Sequence, residues 1–317
     1  MQVLDTFDPV RIAALHERDE FFWLELDSPS EEQLRSLARI VGLPGPAVED
    51  SIEFGQRPKV DPYDGRALLV FYGAHRGAGG DIELDEVHLH LSGSELITVR
   101  RSSCPGVRSA FQHVAAKGAH TEQDAVVHVL EGLTESLRTV LNSVEAEVDA
   151  FEEAALARPS VEERRAISQL RGRLFRLGQI VIPQRDGVAR GGDLLERLPG
   201  FEGRAERHPF RDVHDDLVLV VDQIAYCRER LGEALSIYLA STSNRLNEIG
   251  ARLTLVATIF LPITAISGFF GMNFGWLVRH IGSFWTFAVF GVGGMLAAIT
   301  LALVLFIRAG YLNAADQ

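Results

Sequence analysis

Cysteine is nearly absent: Cys104 and Cys227 are the only two in 317 residues. They have neither metal-ligand spacing nor the number for a disulfide framework, which points to a reducing compartment, the cytoplasm. Basic residues are in the minority, 31 against 43 acidic, for a formal net charge of -12. Neutralising phosphates needs a basic surface, so no nucleic-acid partner is expected. An acidic surface serves solubility or draws cations. No phosphate-cradling loop with lysine, nucleophile elbow or HExxH helix occurs, so enzyme chemistry has no foothold. The opening residues MQVLDTFDPV lack a basic stretch followed by an apolar one, and no signal peptide is expected.

A second absence is more informative. The runs Leu253 to Met272 and Phe284 to Ile307 contain no Asp, Glu, Lys, Arg or His. Each is long enough to cross a bilayer. The short linker makes them a helical hairpin, with both chain ends on one side of the membrane. Arg245, Arg252 and Arg308 flank the proposed inner side and Arg279 alone lies in the linker, which favours cytoplasmic termini in the inner (plasma) membrane. Without an ionisable group in the runs, a buried carboxylate site that strips and binds an ion is not expected. A cation crossing here is held by neutral oxygens or keeps its water, as Mg²⁺ often does.

The remainder reads as a large domain on the inner side. Phe21 to Leu26, Ala67 to Tyr72, Ile82 to His90 and Glu95 to Val99 are expected strands, rich in Val, Leu, Ile and Phe. Ser30 to Val41 and Pro105 to Lys117 are expected helices, so this part is α/β. From Thr121 the pattern is helical to about Leu156. Ser160 with Glu163 opens a further helix that is expected to stop at Pro183, followed by a loop from Asp186 to Glu206. From Pro209 nothing interrupts helical periodicity before Pro262, which predicts one helix on the order of 90 Å to Met272. The expected division is 1–120, an α/β domain; 121–208, a helical hairpin and loop; 209–272, the long helix with the first span at 253–272; 273–283, an extracellular loop; 284–307, the second span; and 308–317, a cytoplasmic tail.

Asn247, Thr254, Leu261 and Gly268 are seven apart, and Gly250, Ala257 and Thr264 repeat the same step. Together they form a narrow stripe of mostly small and polar side chains. An aqueous path would use such a stripe; so would close helix packing. The glycines of the second run, Gly291, Gly293 and Gly294, read as packing.

Gly271-Met272-Asn273 at the end of the first run resembles the signature of the CorA family of divalent-cation channels. Ser243-Asn244-Arg245-Leu246-Asn247-Glu248, Ala257 to Thr264, Arg211-Asp212-Val213 and Arg57-Pro58-Lys59-Val60-Asp61 are similar to that family too. The resemblance implies a funnel-shaped homopentamer in a lipid bilayer, with Mg²⁺ as transported and regulatory ion and Co²⁺ or Ni²⁺ as further cargo. It implies a filter of Gly271, Met272 and Asn273 for hydrated ions, Asn247 near the inner mouth, and divalent ions between cytoplasmic domains that hold the pore shut. The chain departs from the family in several places. The linker Phe274 to Ser283 has no carboxylate. Gly250 stands where a bulky gate residue is common, leaving Leu253 and Leu261 as gate candidates. Ser236 replaces an acid of one regulatory site, and the tail lacks a basic cluster.

Other groups are weighed beside these. His88 and His90 share one strand face near Asp81, Glu83 and Asp85, and either bind a transition ion such as Zn²⁺ or sit on an exposed face. Asp212, Asp215 and Asp216, with His214, open the long helix and either suit its dipole or form a regulatory divalent site. Glu145, Glu147, Asp149, Glu152 and Glu153 read as a solvated helix face. Three functions follow: a Mg²⁺ channel, a related zinc transporter with or without proton coupling, and a membrane-anchored metal sensor without transport.

Overall fold

A computed structural model of the chain describes residues 2–119, 122–157, 161–199, 201, 209–272, 275–280 and 282–308. It divides into two compact units, Met1–Ala154 with Ser160–Leu235, and Ala155–Pro159 with Ser236–Gln317.

In the first unit six strands form one sheet in the order β1-β2-β6-β5-β4-β3. They are β1 (Gln2–Leu4), β2 (Phe22–Asp27), β3 (Lys59–Tyr63), β4 (Arg66–Arg76), β5 (Ile82–Leu91) and β6 (Glu95–Arg100). β1, β2 and β6 run parallel, and β6, β5, β4 and β3 pair antiparallel. Three helices, α1 (Pro9–Glu17), α2 (Glu31–Val41) and α3 (Gly45–Glu53), bury Ile12, Leu15, Leu34, Leu37 and Val48 against Phe22, Leu24, Ile97 and Val99. Ser30 and Gln33 close a reciprocal capping box on α2, and Gly42 ends it in the left-handed conformation that suits glycine. α4 is Pro105–Lys117, as the sequence predicts.

Two long helices follow, α5 (Glu122–Ala157) and α6 (Val161–Leu195). α5 lies so close to α4 that a Cβ on Gly106 would stand 2.6 Å from the Gly132 carbonyl. It also lies close to β4, where a Cβ on Gly73 would stand 2.6 Å from the Ser136 hydroxyl. The expected stop at Pro183 is wrong: α6 continues through it to Leu195, so the expected loop is helical over its first turns. The reason is tertiary. Gln184 accepts from the Tyr72 N–H at 2.7 Å and donates to the Tyr72 carbonyl at 3.2 Å, fixing α6 to mid-β4 and offsetting the hydrogen bond that proline cannot make. Residues 158–160, on which a helix end and a cap are expected, lie outside the described residues, as does Thr121.

A single 62-residue helix, α7 (Pro209–Phe270), supplies residues to both units and runs through Pro262. In the first unit it buries Phe210, Val213, Leu217, Val220, Ile224, Cys227 and Leu231. Of the five acids expected to be a solvated face, Glu153 and Asp149 are exposed, and four, Asp149 among them, are paired. Arg230 binds Asp149 and Glu152, Arg173 binds Glu147, and Gln223 donates to Glu145 at 2.6 Å.

The second unit holds the rest of α7, a short helix α8 (Gly275–His280) where an irregular loop is expected, and a last helix α9 (Phe284–Arg308). The middle of α9, Phe287–Gly293, is wound as a π-helix. α7 and α9 are both long and apolar enough to cross a membrane.

Candidate functional site

The membrane-length part of α7 meets its neighbour along one face. Phe270 packs edge-on to Phe287 of α9, with ring centroids 5.9 Å apart. A Cβ on Gly291 would press within 3.5 Å of both Phe287 and Phe270. Leu255, Thr258, Ile259, Pro262, Ile263, Ile266 and Phe270 are the half-buried positions of this stretch. At 3.6 residues per turn they are centred roughly 150° from the stripe of Asn247, Gly250, Thr254, Ala257, Leu261, Thr264 and Gly268. Every member of that stripe is exposed, as is Leu253. The stripe is therefore not the packing face of the hairpin; the chain's own second apolar helix is served by the opposite side. Within the exposed arc, bulky Val256 and Phe260 occupy a separate sector from the small residues.

The stripe's hydroxyls have a defined polarity. Thr254 donates to the Gly250 carbonyl at 2.9 Å and Thr264 to the Phe260 carbonyl at 2.8 Å. Each hydroxyl proton is thus spent on the backbone, and the oxygen presents lone pairs outward. Such oxygens accept hydrogen bonds from the water around a cation. Gly271 and Met272 turn the chain after α7, with their N–H groups bonded to the Ser267 and Phe269 carbonyls, and both are exposed. Asn273, the third member of the expected filter, lies outside the described residues.

The other candidates fare differently. His88 and His90 are buried, at 0% and 3% exposure, so the expectation of an exposed strand face is corrected. The Ser51 hydroxyl lies 2.9 Å from His88 Nδ1 and 2.9 Å from His90 Nε2, and His88 Nε2 lies 2.8 Å from Glu86. α3 roofs the strand here and uses these nitrogens in a hydrogen-bond chain, which leaves them unavailable as metal ligands. Burial, with His88 and Arg66 nearby, holds His90 down at about 3, so it is neutral in the fold. Burial alone would raise Glu86, but His88 and the Gln56 and Gly55 N–H groups outweigh it and lower it. Asp212, Asp215 and Asp216 are exposed at the start of α7, with Asp215 3.2 Å from His214. Among the described residues no three His, Cys, Asp or Glu side chains gather closely enough to hold a metal. Cys104 and Cys227 are buried, which pushes their thiols up to about 12 and about 11.

Sequence reasoning missed the buried polar pairs of the sheet. Arg100 donates to Glu25 at 2.9 Å, and Arg66 binds Glu95 while donating to the Val41 carbonyl at 2.6 Å. Isolated charges at alternate strand positions gave no sign that they face each other.

Known proteins share this architecture. The family model for the CorA-like Mg2+ transporter protein matches residues 18–308. The cobalt/magnesium transport protein CorA of Thermotoga maritima is 26% identical over 257 residues, covering 80% of this chain and 72% of that one. The zinc transport protein ZntB of Yersinia enterocolitica is 22% identical over 292 residues, covering 90% and 86%. The solved structure of the CorA magnesium transporter from Methanocaldococcus jannaschii superposes with a TM-score of 0.78 at 23% identity, covering 91% of this chain and 90% of that one.

Proposed function

The chain belongs to the CorA family of divalent-cation transporters, and on that footing we propose that it passes Mg²⁺ into the cell through a homopentameric pore, with Co²⁺ and Ni²⁺ as further cargo. One hairpin cannot enclose a path, and identical copies close most simply around a cyclic axis. The stripe on α7 faces that axis in our reading. Gly271, Met272 and Asn273 form the outer filter, Leu253 and Leu261 narrow the path, and Asn247 meets hydrated ions near the inner mouth. The divisions at 120, 208, 272, 283 and 307 are the functional boundaries we assign, with both termini cytoplasmic and the protein in the inner membrane. Asp212, Asp215 and Asp216 are exposed and open to a regulatory divalent ion shared with a neighbouring copy.

The observation that carries this reading is the exposed stripe of small and oxygen-bearing side chains on the side of α7 away from α9. A helix that met only lipid would gain nothing from glycine, threonine and asparagine there. The experiment is ion flux into liposomes holding the full chain, comparing Mg²⁺, Co²⁺ and Zn²⁺. Mg²⁺ influx supports the proposal; binding without flux of any ion would favour a membrane-anchored sensor.

A zinc-carrying relative of the same fold is the second reading. It is favoured by a linker that lacks carboxylates and carries His280, and by the likeness to a zinc transport protein. Zn²⁺ flux that outcompetes Mg²⁺ and moves with protons would decide for it.

A further inference from the structure

Between Arg252 and Arg308 the chain carries charged or titratable side chains at two positions only, Arg279 and His280. Both end α8, in the linker between the two apolar helices, and both are exposed. Counting three extended and four helical steps from Met272, Arg279 lies at most about 17 Å away along the chain. The entrance to a cation path would gain from carboxylates, because they concentrate cations before entry. This one carries fixed positive charge instead.

The His280 ring is held in one arrangement. Its Nδ1–H donates to the Trp276 carbonyl at 2.9 Å, and the ring stacks on the Trp276 indole with centroids 4.6 Å apart and planes 21° apart. With Nδ1 protonated and committed, the proton gained in acid goes to Nε2. Histidine is the side chain whose charge changes between about pH 5 and 8. The charged ring then rests on an indole face, which attracts cations. No Asp or Glu in either apolar run or in the linker is present to neutralise it, and Arg279 beside it has the same sign.

We infer that Arg279 and His280 form a positive collar at the outer entrance of the cation path, and that outside pH sets its strength. The inference rests on the pore reading above. A doubly charged ion feels each elementary charge twice. Five charges at about 10 Å, screened over a Debye length of about 8 Å, lower its concentration at the entrance by about three- to ten-fold. The collar restrains divalent uptake, more so in acid, and salt in the outer medium relieves the restraint.

The test is initial Mg²⁺ influx into liposomes holding the full chain, with the inside fixed at neutral pH and the outside varied from about pH 5.5 to 8 at about 0.15 M ionic strength. Wild-type influx rises by about three- to ten-fold across that range, and less in high salt. His280→Gln removes most of the rise. His280→Lys holds influx near its acid level throughout. Arg279→Gln raises influx at every pH and keeps the rise. A flat wild-type profile, or a rise that survives in His280→Gln, overturns the collar while leaving the pore intact. Absence of wild-type influx at every pH overturns the pore reading, and the collar with it.

Discussion

Phe270 on the first apolar helix and Phe287 on the second meet edge to face, at 86° between ring planes. That contact fixes which side of α7 the hairpin uses, and it leaves the stripe of Gly250, Thr254, Ala257, Leu261, Thr264 and Gly268 on the far side. A small-residue face that the chain itself leaves uncovered meets water, another copy or lipid.

Cysteine labelling separates these. The native thiols are buried and held up at about 12 and about 11, so almost no thiolate exists at neutral pH and they stay unreactive. New cysteines can therefore be added to the wild-type chain. Thr254→Cys, Leu261→Cys and Gly268→Cys are expected to react with a charged, water-soluble thiosulfonate in membranes at least about ten times faster than Val256→Cys or Phe260→Cys, because the thiolate forms only in water. Equal rates for the two sets, read by mass shift, would remove the aqueous path.

The Gln184–Tyr72 pair predicts a stability effect within the first unit. Gln184→Ala leaves a buried N–H and a buried carbonyl of β4 without partners, at about 1–3 kcal/mol each. The expected loss is about 2–4 kcal/mol in denaturant unfolding of the first unit. Gln184→Glu should cost at least as much, since a carboxylate cannot donate to the Tyr72 carbonyl.

His90 predicts acid lability. Its folded value is depressed to about 3 by burial, below the ordinary imidazole value, so the unfolded chain binds a proton that the folded chain refuses. The stability it contributes is complete above about pH 6.5 and falls by up to about 1.4 kcal/mol per pH unit between there and about pH 3. Glu86, lowered in the fold, adds to the loss below about pH 4.5. His90→Asn should lower stability at neutral pH and flatten the upper part of the acid slope, as measured by unfolding midpoints from pH 7 down to pH 5. An unchanged slope would show that another group carries it.

Assembly offers a further check. Native mass spectrometry of the detergent-solubilised chain is expected to give five times the chain mass. Gly268→Phe, which puts an aromatic ring on the stripe, should keep that mass and lose flux. A monomer would end the pore proposal, since one hairpin encloses nothing.

Much of this architecture was legible beforehand because it is periodic. β2, β4, β5, β6, α2, α4 and α7 follow from apolar spacing and helix-start signals such as the Ser30 cap and Pro105 in the first turn. What escaped was short or decided by tertiary contacts. β1 has three residues, and β3 contains Pro62 and is partly exposed, so neither carries a pattern. α6 passes Pro183 because Gln184 finds a strand to bond. His88 and His90 alternate as surface residues do, and nothing local announces that α3 covers them. At the candidate site the stripe could be read from the heptad step of its residues. Its direction could not, because that depends on where Phe270 finds Phe287.

The most direct measurement is Mg²⁺ influx for Asn273→Ala beside wild type in matched liposomes. Removing the amide takes away the oxygen that is to accept hydrogen bonds from the ion's water, and one such bond to a charged, hydrated ion is worth about 1.5–3 kcal/mol. Because the substitution removes that oxygen from every subunit at once, influx is expected to fall at least about ten-fold while fold and assembly are unchanged. Wild-type influx retained in Asn273→Ala would contradict the account.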